Sequence, residues 1–534
     1  METLLVGIDA GCLPVFRELF EEGRLPALRS LVEDGFAAPM ESQIPPWTPS
    51  AWPSLYTGVN PGKHGVYGFV SNEGYDWRVV TADDVREYTL WELLDRHGLT
   101  SVVVNAPVTF PPPAIDGAVL PGFIGPEDPE CHPPGLLDEV REAIGEYRLY
   151  PAYHTEDEAF TRDQKRSEYV DLVRMRGEAF SYLAGKYDPQ FGFVQFQRPD
   201  TVFHEFGGDR GMVRAVYEAT DRAIARVLED CDPDRVFVAS DHGMGRYDGA
   251  DFHVNDHLRE EGYVTATKGG KGMPGWRPIR DSLREGEVTE SWEPSLFERL
   301  AAGAASVGLT ARRVQSALER VHLAETVGHY LPDNVSRTSA EQVDFAESVA
   351  YLRARTELGV RINLEGREPD GVVPPSEYES VRSELIESLR SVTAPCGEPV
   401  FERVAPREAF FEGPYVEDAA DVIVVPNGFD HFLSDQLHGR PFSETGTAWN
   451  HKRDGVFLAA GEGIDTGAEA DPHLFDVAPT VLASLGVAPN ERMDGTVLPV
   501  TDRVDDRAYP AYDGRDSGAT VEIEDRLADL GYVE

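Results

Sequence analysis

Cysteine and lysine are scarce in this chain. Four cysteines, Cys12, Cys131, Cys231 and Cys396, are scattered over 534 residues. Their spacing matches no zinc ribbon and no CxxC redox pair, and they are too few for a disulfide framework, so free thiols are expected. Lysine occurs only as Lys63, Lys165, Lys186, Lys268, Lys271 and Lys452. Lys and Arg together number 49 against 94 Asp plus Glu, a formal net charge of −45. No basic stripe exists to neutralise a phosphate backbone, which excludes a nucleic-acid surface and disfavours anionic membranes. The acidic excess is spread along the whole sequence, and such a solvated surface suits high salt, where screening suppresses self-repulsion; a halophilic origin is expected. Long hydrophobic runs are absent too, so no segment is expected to span a bilayer. The N-terminus runs straight into Thr3-Leu4-Leu5-Val6-Gly7-Ile8-Asp9 without a basic start or leader-like apolar stretch, and a cytoplasmic location is expected. No partner protein is indicated.

What is present is globular: 41% hydrophobic and 10% aromatic residues exclude wholesale disorder. Short continuous apolar runs, Leu4 to Ile8, Ser101 to Asn105, Phe191 to Phe196 and Arg235 to Ser240, read as strands buried on both faces. Helical patterns separate them at Pro14 to Glu22, Pro26 to Asp34, Trp91 to Arg96, Thr155 to Lys186 and Val213 to Leu228. This alternation predicts an α/β fold, a doubly wound, mostly parallel sheet with helices on both faces. Pro107 to Pro134, rich in Pro and Gly, reads as a long loop over the sheet. The chain divides into a first core part (1–268), a helical insertion or cap (269–343) where strand signals vanish, a second core part (344–500) and an acidic C-terminal tail (501–534). Within the second part, Gly359 to Leu364 and Asp421 to Val425 read as strands, and Ser376 to Ser391 and Phe475 to Leu485 as helices.

Chemistry is concentrated at the predicted strand ends, where open α/β sheets bind ligands. Asp9 follows the first strand. Asp200 and His204 follow the third at i and i+4, which puts them on one face if that turn is helical. Asp241-His242-Gly243 follows the fourth, and both side chains can reach a metal that the glycine lets approach. His451 sits in a later loop before a strand. Pro45-Pro46-Trp47-Thr48-Pro49 predicts Thr48 as the N-cap of a helix with Pro49 at its first position, a hydroxyl at the positive end of a helix dipole. Each signal has a bland alternative: a cap alone, a solvated helix pair, an Asx turn, a loop histidine. His253 and His257 are read as bystanders, Asn255 and Asp256 as helix-start residues, and Trp47, Trp52 and Tyr67 as packing near the site.

Taken together, Gly7-Ile8-Asp9, Thr48 through Gly58 with Asn60-Pro61-Gly62-Lys63-His64-Gly65, Asp200 with His204, Ser240-Asp241-His242-Gly243 and His451 resemble the alkaline phosphatase superfamily, and within it the type I phosphodiesterase/nucleotide pyrophosphatase family. The resemblance implies two divalent metals about 4 Å apart. It implies that Asp9, Asp241, His242 and Thr48 surround one, while Asp200, His204 and His451 hold the other. Zinc suits this mixed set, and manganese would use the same ligands. It further implies that Thr48 is the nucleophile of a two-step hydrolysis of small phosphate esters through a phosphothreonine. One position departs from the family: where an asparagine amide is expected to meet the phosphoryl oxygen, this chain has Phe69, after Gly68. No C/S-x-P-x-R signature is present, which argues against a sulfatase. Two alternatives stand beside the hydrolase: a phosphomutase or phosphotransferase, and a non-catalytic metal-binding protein.

Overall fold

The computed structural model describes residues 1–153, 160–268, 341–446 and 448–514. In chain order the strands that position the site are β1 (Thr3–Ile8), β2 (Phe36–Glu41), β3 (Ser101–Val104), β4 (Gly117–Leu120), β5 (Phe191–Phe196), β6 (Arg235–Ala239), β7 (Gly243–Arg246), β8 (Trp449–Lys452) and β9 (Asp454–Gly461). Seven of them form one sheet in the order β2-β9-β6-β1-β5-β3-β4. From β6 to β4 neighbours run parallel, while β9 and β2 complete the other edge antiparallel. Strands β7 and β8 pair separately, antiparallel, with His451 opposite Met244.

The continuous apolar runs have a direct physical reading. Successive strand residues point to opposite faces. Leu4, Val6, Ile8, Val102, Val104, Val194, Phe196, Val236 and Val238 therefore enter one core, and Leu5, Val103, Phe193 and Phe237 enter the other. Each such side chain contributes about 1.5–3 kcal/mol when fully buried. On the first face pack α1 (Leu13–Glu21), α2 (Pro26–Asp34), α4 (Arg162–Tyr187), α5 (Arg198–Phe206) and α6 (Arg210–Cys231). On the second pack α3 (Thr48–Thr57) and α7 (Val477–Ser484). The expected doubly wound α/β sheet is what the chain forms.

The loop expected over Pro107 to Pro134 needs correction, because its middle is β4, the parallel edge strand beside β3. Four small and aliphatic residues between prolines are enough for an edge strand, yet too few to show a pattern. Gly359–Ile362 and Val422–Pro426 belong to a separate four-stranded antiparallel sheet with Ala350–Tyr351 and Phe401–Pro406, backed by the helix Tyr378–Arg390. That small sheet has its own core, which Trp47 joins from the central body. The helical insertion expected at 269–343 lies outside the described residues up to 340. On either side of it Ala266–Lys268 and Glu341–Val343 pair as an antiparallel ribbon, so residues 341–343 are strand rather than helix. Of the acidic tail, 501–514 is described and mostly exposed, with the Tyr509 hydroxyl donating to Ala488 O. Among the described residues no helix is long and apolar enough to cross a membrane.

The Asn60-to-Gly65 motif locks the end of α3. The Asn60 side chain accepts from the Gly62 amide at 2.8 Å and caps the one-turn helix Pro61–His64. His64 is fully buried, its Nδ1 accepts from the Val66 amide at 3.1 Å, and its Nε2 donates to Ser54 Oγ at 2.8 Å. The neutral ring therefore fits and the imidazolium does not; burial pushes His64 from the usual 6.5 down to about 3. A depressed histidine contributes stability that is present above its unfolded value and lost as pH falls through its folded one. Denaturant unfolding of wild type and His64→Gln between pH 7 and 3 is expected to show wild type losing stability more steeply below 6.5, and equal slopes would refute the assignment.

Candidate functional site

Strands β5, β1 and β6 end side by side, and the residues just beyond them converge. Asp9 follows β1 directly, Asp200 and His204 lie on α5 after β5, and Asp241 and His242 follow β6. His451 arrives from far along the chain on β8, placed by the pairing of β8 with β7. It was expected in a loop; the structure puts it inside a short strand, because its backbone is needed for that ladder. Gly243 lets the start of β9 come close, since a Cβ there would lie 2.1 Å from Asp454 O.

Thr48 stands one position from where it was expected. The N-cap of α3 is Trp47, in extended conformation at φ −114° and ψ 139°, with no side-chain cap bond, and Thr48 is the first helical residue. Its hydroxyl is thus not spent on the helix amides. It lies 3.4 Å from Asp9 Oδ1 and 3.4 Å from His242 Nε2, which disposes of the reading of Thr48 as a cap alone.

The other predicted residues are brought together. His242 Nε2 is 3.1 Å from Asp241 Oδ2 and 3.6 Å from Asp9 Oδ1. His204 Nε2 lies 3.1 Å from Asp200 Oδ1 and 2.9 Å from His451 Nε2, and His451 Nε2 is 3.3 Å from the same Asp200 oxygen. Two overlapping groups have ligand atoms within 4.8 Å of one another, Asp9/Asp241/His242 and Asp200/His242/His451. His242 stands between them, its ring stacked on that of His451 at 3.6 Å.

Several observations fit cations here. His451 Nδ1 donates to Pro46 O at 2.9 Å and His242 Nδ1 to Gly243 O at 3.1 Å, which leaves both Nε2 lone pairs facing the cluster. Asp200 Oδ1 and Asp241 Oδ2 are buried and accept no well-directed hydrogen bond. Among the described residues, only histidines pair with Asp9, Asp200 or Asp241. The charges are correspondingly displaced. Burial, then the Asp241 and Asp200 carboxylates, push Asp9 well above the usual carboxylate range, against donation from Trp52 and Thr48. Burial opposes ionisation of Asp200 too, but His204 and His451 hold it well below that range. Burial and neighbouring His242 push His451 down to about 4 despite Asp200. Burial alone would lower His242, yet Asp241 and then Asp200 raise it.

Two positioning residues gave no motif. Gln195 Nε2 donates to Asp9 Oδ2 at 2.8 Å, beside Trp52 Nε1 at 3.2 Å, so Oδ1 is the oxygen left facing Thr48 and His242. Gln195 Oε1 accepts in turn from Asn105 Nδ2 at 2.7 Å. The one available signal was Gln195 itself, a polar residue in a strand buried on both faces. Trp52 approaches because Gly7 lacks a side chain: a Cβ there would lie 2.6 Å from the indole. Trp52 therefore supports Asp9 and opens no pocket. Tyr67 packs on Phe411 and donates to Tyr415 O, as the packing reading expected, whereas the Trp47 ring lies 4.7 Å from that of His451. Phe69 turns edge-on to Phe123. His253 and His257 bond to Arg440 O and Ser388, apart from the cluster. Asn255 and Asp256 lie in the first turn of the helix Val254–Glu260.

A carboxylate and imidazole cluster at the strand ends of a doubly wound sheet, around one helix-start hydroxyl, defines the alkaline phosphatase-like class of α/β hydrolases. The chain belongs to the type I phosphodiesterase/nucleotide pyrophosphatase family, whose profile matches residues 3–455, and its enzymes hydrolyse phosphoric esters. No curated protein matches the sequence. Among solved structures, phosphonoacetate hydrolase from Sinorhizobium meliloti 1021 superposes with a TM-score of 0.53 at 16% identity, covering 91% of this chain and 95% of that one. The alkaline phosphatase PafA gives 0.51 at 14% identity, covering 93% and 98%. Human ectonucleotide pyrophosphatase/phosphodiesterase 5 gives 0.50 at 13%, covering 93% and 97%. At these identities the likeness establishes the fold.

Gln195→Leu is expected to lower divalent-metal affinity on the order of tenfold or more while leaving the fold intact, because a carboxylate loses its orienting donor. Calorimetric metal titration checks this, and unchanged affinity would remove Gln195 from the site.

Proposed function

We propose that this chain is a metal-dependent phosphodiesterase or nucleotide pyrophosphatase acting through a phosphothreonine at Thr48. The observation that carries the reading is the Thr48 hydroxyl, released from capping and held between Asp9 Oδ1 and His242 Nε2 at 3.4 Å each. Asp9, Asp241, His242 and Thr48 would surround one divalent ion, and Asp200, His204 and His451 the other. Zinc is the ion that suits these ligands best, with manganese the alternative. When bound, the ions supply positive charge that favours the ionised hydroxyl and offsets charge on the phosphoryl oxygens.

The protein's own groups do the rest. Thr48 Oγ gives up its proton to solvent and forms the new O–P bond as the ester O–P bond breaks, and the alcohol or phosphate leaves with that bond's electron pair and takes a proton from water. Water then breaks the Thr48 Oγ–P bond and restores the hydroxyl. Gln195 and Trp52 keep Asp9 in one orientation throughout, and Pro46 O and Gly243 O keep the two imidazoles in one tautomer. With Phe69 in place of an amide, the chain offers no side-chain donor from that position. Orientation of the ester then falls to the cluster and to neighbours such as Trp47. The −45 charge supports operation in concentrated salt, where surface repulsion is screened.

Bis-p-nitrophenyl phosphate and p-nitrophenyl phosphate, assayed in molar salt with and without chelator and added zinc or manganese, test the reading. Chelator-sensitive turnover favouring the diester is expected. Thr48→Ala should lose on the order of a thousandfold or more in kcat with metal content unchanged, and acid quenching of wild type should trap a phosphoryl group on Thr48. Full activity in Thr48→Ala would overturn the mechanism.

A further inference from the structure

The approach to α3 touches the reacting cluster at several points. Ser42 Oγ donates to Asp241 O at 2.5 Å, Pro46 O accepts from His451 Nδ1 at 2.9 Å, and the Trp47 ring lies 4.7 Å from that of His451. Thr48 follows, its hydroxyl between Asp9 and His242. Successive carbonyls here take different partners. Pro46 O meets His451, while Pro45 O lies 3.1 Å from Ser50 Oγ and accepts from Gln43 Nε2 at 3.4 Å. The pyrrolidine rings fix φ at both prolines, so a displacement of the first carbonyl is passed to the second.

The start of α3 draws on side chains. Pro53, inside the helix, has no amide to give Pro49 O, which removes a ladder bond from the turn that carries Thr48. Ser50 and Ser54, at i and i+4, share one buried face. Ser50 Oγ lies 3.1 Å from Trp47 O as well as from Pro45 O, and Ser54 Oγ donates to Gln43 Oε1. The Val66 amide sets the direction of that last bond. It donates to His64 Nδ1, so the ring proton sits on Nε2 and goes to Ser54 Oγ at 2.8 Å. Ser54 is left to donate, Gln43 Oε1 to accept, and Gln43 Nε2 to face Pro45 O. Gln43 is 3% exposed, and Ser54 and His64 are fully buried, so water does not compete for these groups. Packing alone would be met by Leu or Met at position 43. The amide is instead engaged at both ends, and its far end bears on the carbonyl next to the one that orients His451.

We propose that Gln43 is a positioning residue for the reaction: held by His64 through Ser54, it fixes Pro45 and Pro46 and thereby the ring of His451. It acts through Pro46 O and touches no reacting atom. Its effect on turnover rests on the proposed hydrolase, and its effect on ion binding rests only on His451 as a ligand.

The test compares wild type, Gln43→Met, which fills similar space without hydrogen bonds, and His451→Gln, with folding checked by circular dichroism and thermal melting. Calorimetric titration with zinc is the first arm. Wild type is expected to take two equivalents and His451→Gln to weaken one of them. Gln43→Met is expected to weaken that same one on the order of tenfold while the other stays within about twofold. The second arm is turnover of bis-p-nitrophenyl phosphate by zinc-saturated enzyme, where Gln43→Met is expected to lose on the order of tenfold in kcat with KM within about twofold. Zinc binding like that of wild type, or an unchanged kcat in an active enzyme, overturns the proposal. So does a loss of both equivalents together with thermal stability, which marks a purely structural part. A wild type that takes two zinc ions but turns over no ester refutes the hydrolase and leaves the zinc arm to decide Gln43. A wild type with no second equivalent removes His451 as a ligand, and the proposal with it. If Gln43→Met does not fold, Ser54→Ala, which leaves Gln43 without its tether, is expected to show the same selective loss, and wild-type zinc binding there overturns the proposal.

Discussion

Three carboxylates, Asp9, Asp200 and Asp241, are buried together at adjoining strand ends, and the surrounding structure is arranged around that repulsion. Water would normally solvate such charges; here it is excluded and no lysine or arginine among the described residues replaces it. Among the described residues three histidines are the only side chains that pair with them as ionisable counter-groups, and two of these are turned by backbone carbonyls so that their Nε2 atoms face the cluster. An anionic and lone-pair-rich cavity of this kind is unfavourable in isolation and becomes favourable when cations enter. The fold therefore carries the cost of an electrostatic arrangement whose benefit lies in ligand binding.

The sheet makes that arrangement affordable. Strands buried on both faces, with Leu, Val and Phe alternating between two cores, give the strand tips positions that cannot relax apart. The same feature explains what was legible beforehand. β1, β5 and β6 were readable as apolar runs, and the acidic or imidazole residues behind them followed by position. β2 and β4 were not, because one carries Pro39 and the other is four residues between prolines. The location of His451 in a strand depended on pairing with a segment some two hundred positions earlier, which local pattern does not report. Thr48 was recognised, but its cap role was assigned one residue too far along. The extended pair Pro45-Pro46 carries through Trp47, and the helix begins with Thr48 itself. Gln195 and Asn105 were missed, since a lone amide in a strand or just past its end has no spacing to betray it.

Low identity to the superposable structures, 13 to 16%, together with a shared fold, fits a core whose constraints are geometric rather than compositional. At the margin of the cluster the Trp47 ring lies against that of His451.

The ribbon of Ala266–Lys268 and Glu341–Val343 has a separate consequence. Because the chain departs and returns through paired strands, Lys268 and Glu341 are held within one strand spacing of each other. The connection between Lys268 and Glu341 is closed by that pairing, and the entropy of closing a connection grows only slowly with its length. A tight turn could join the same two strands. A change of length between these two residues therefore leaves the register of every strand in the central sheet untouched.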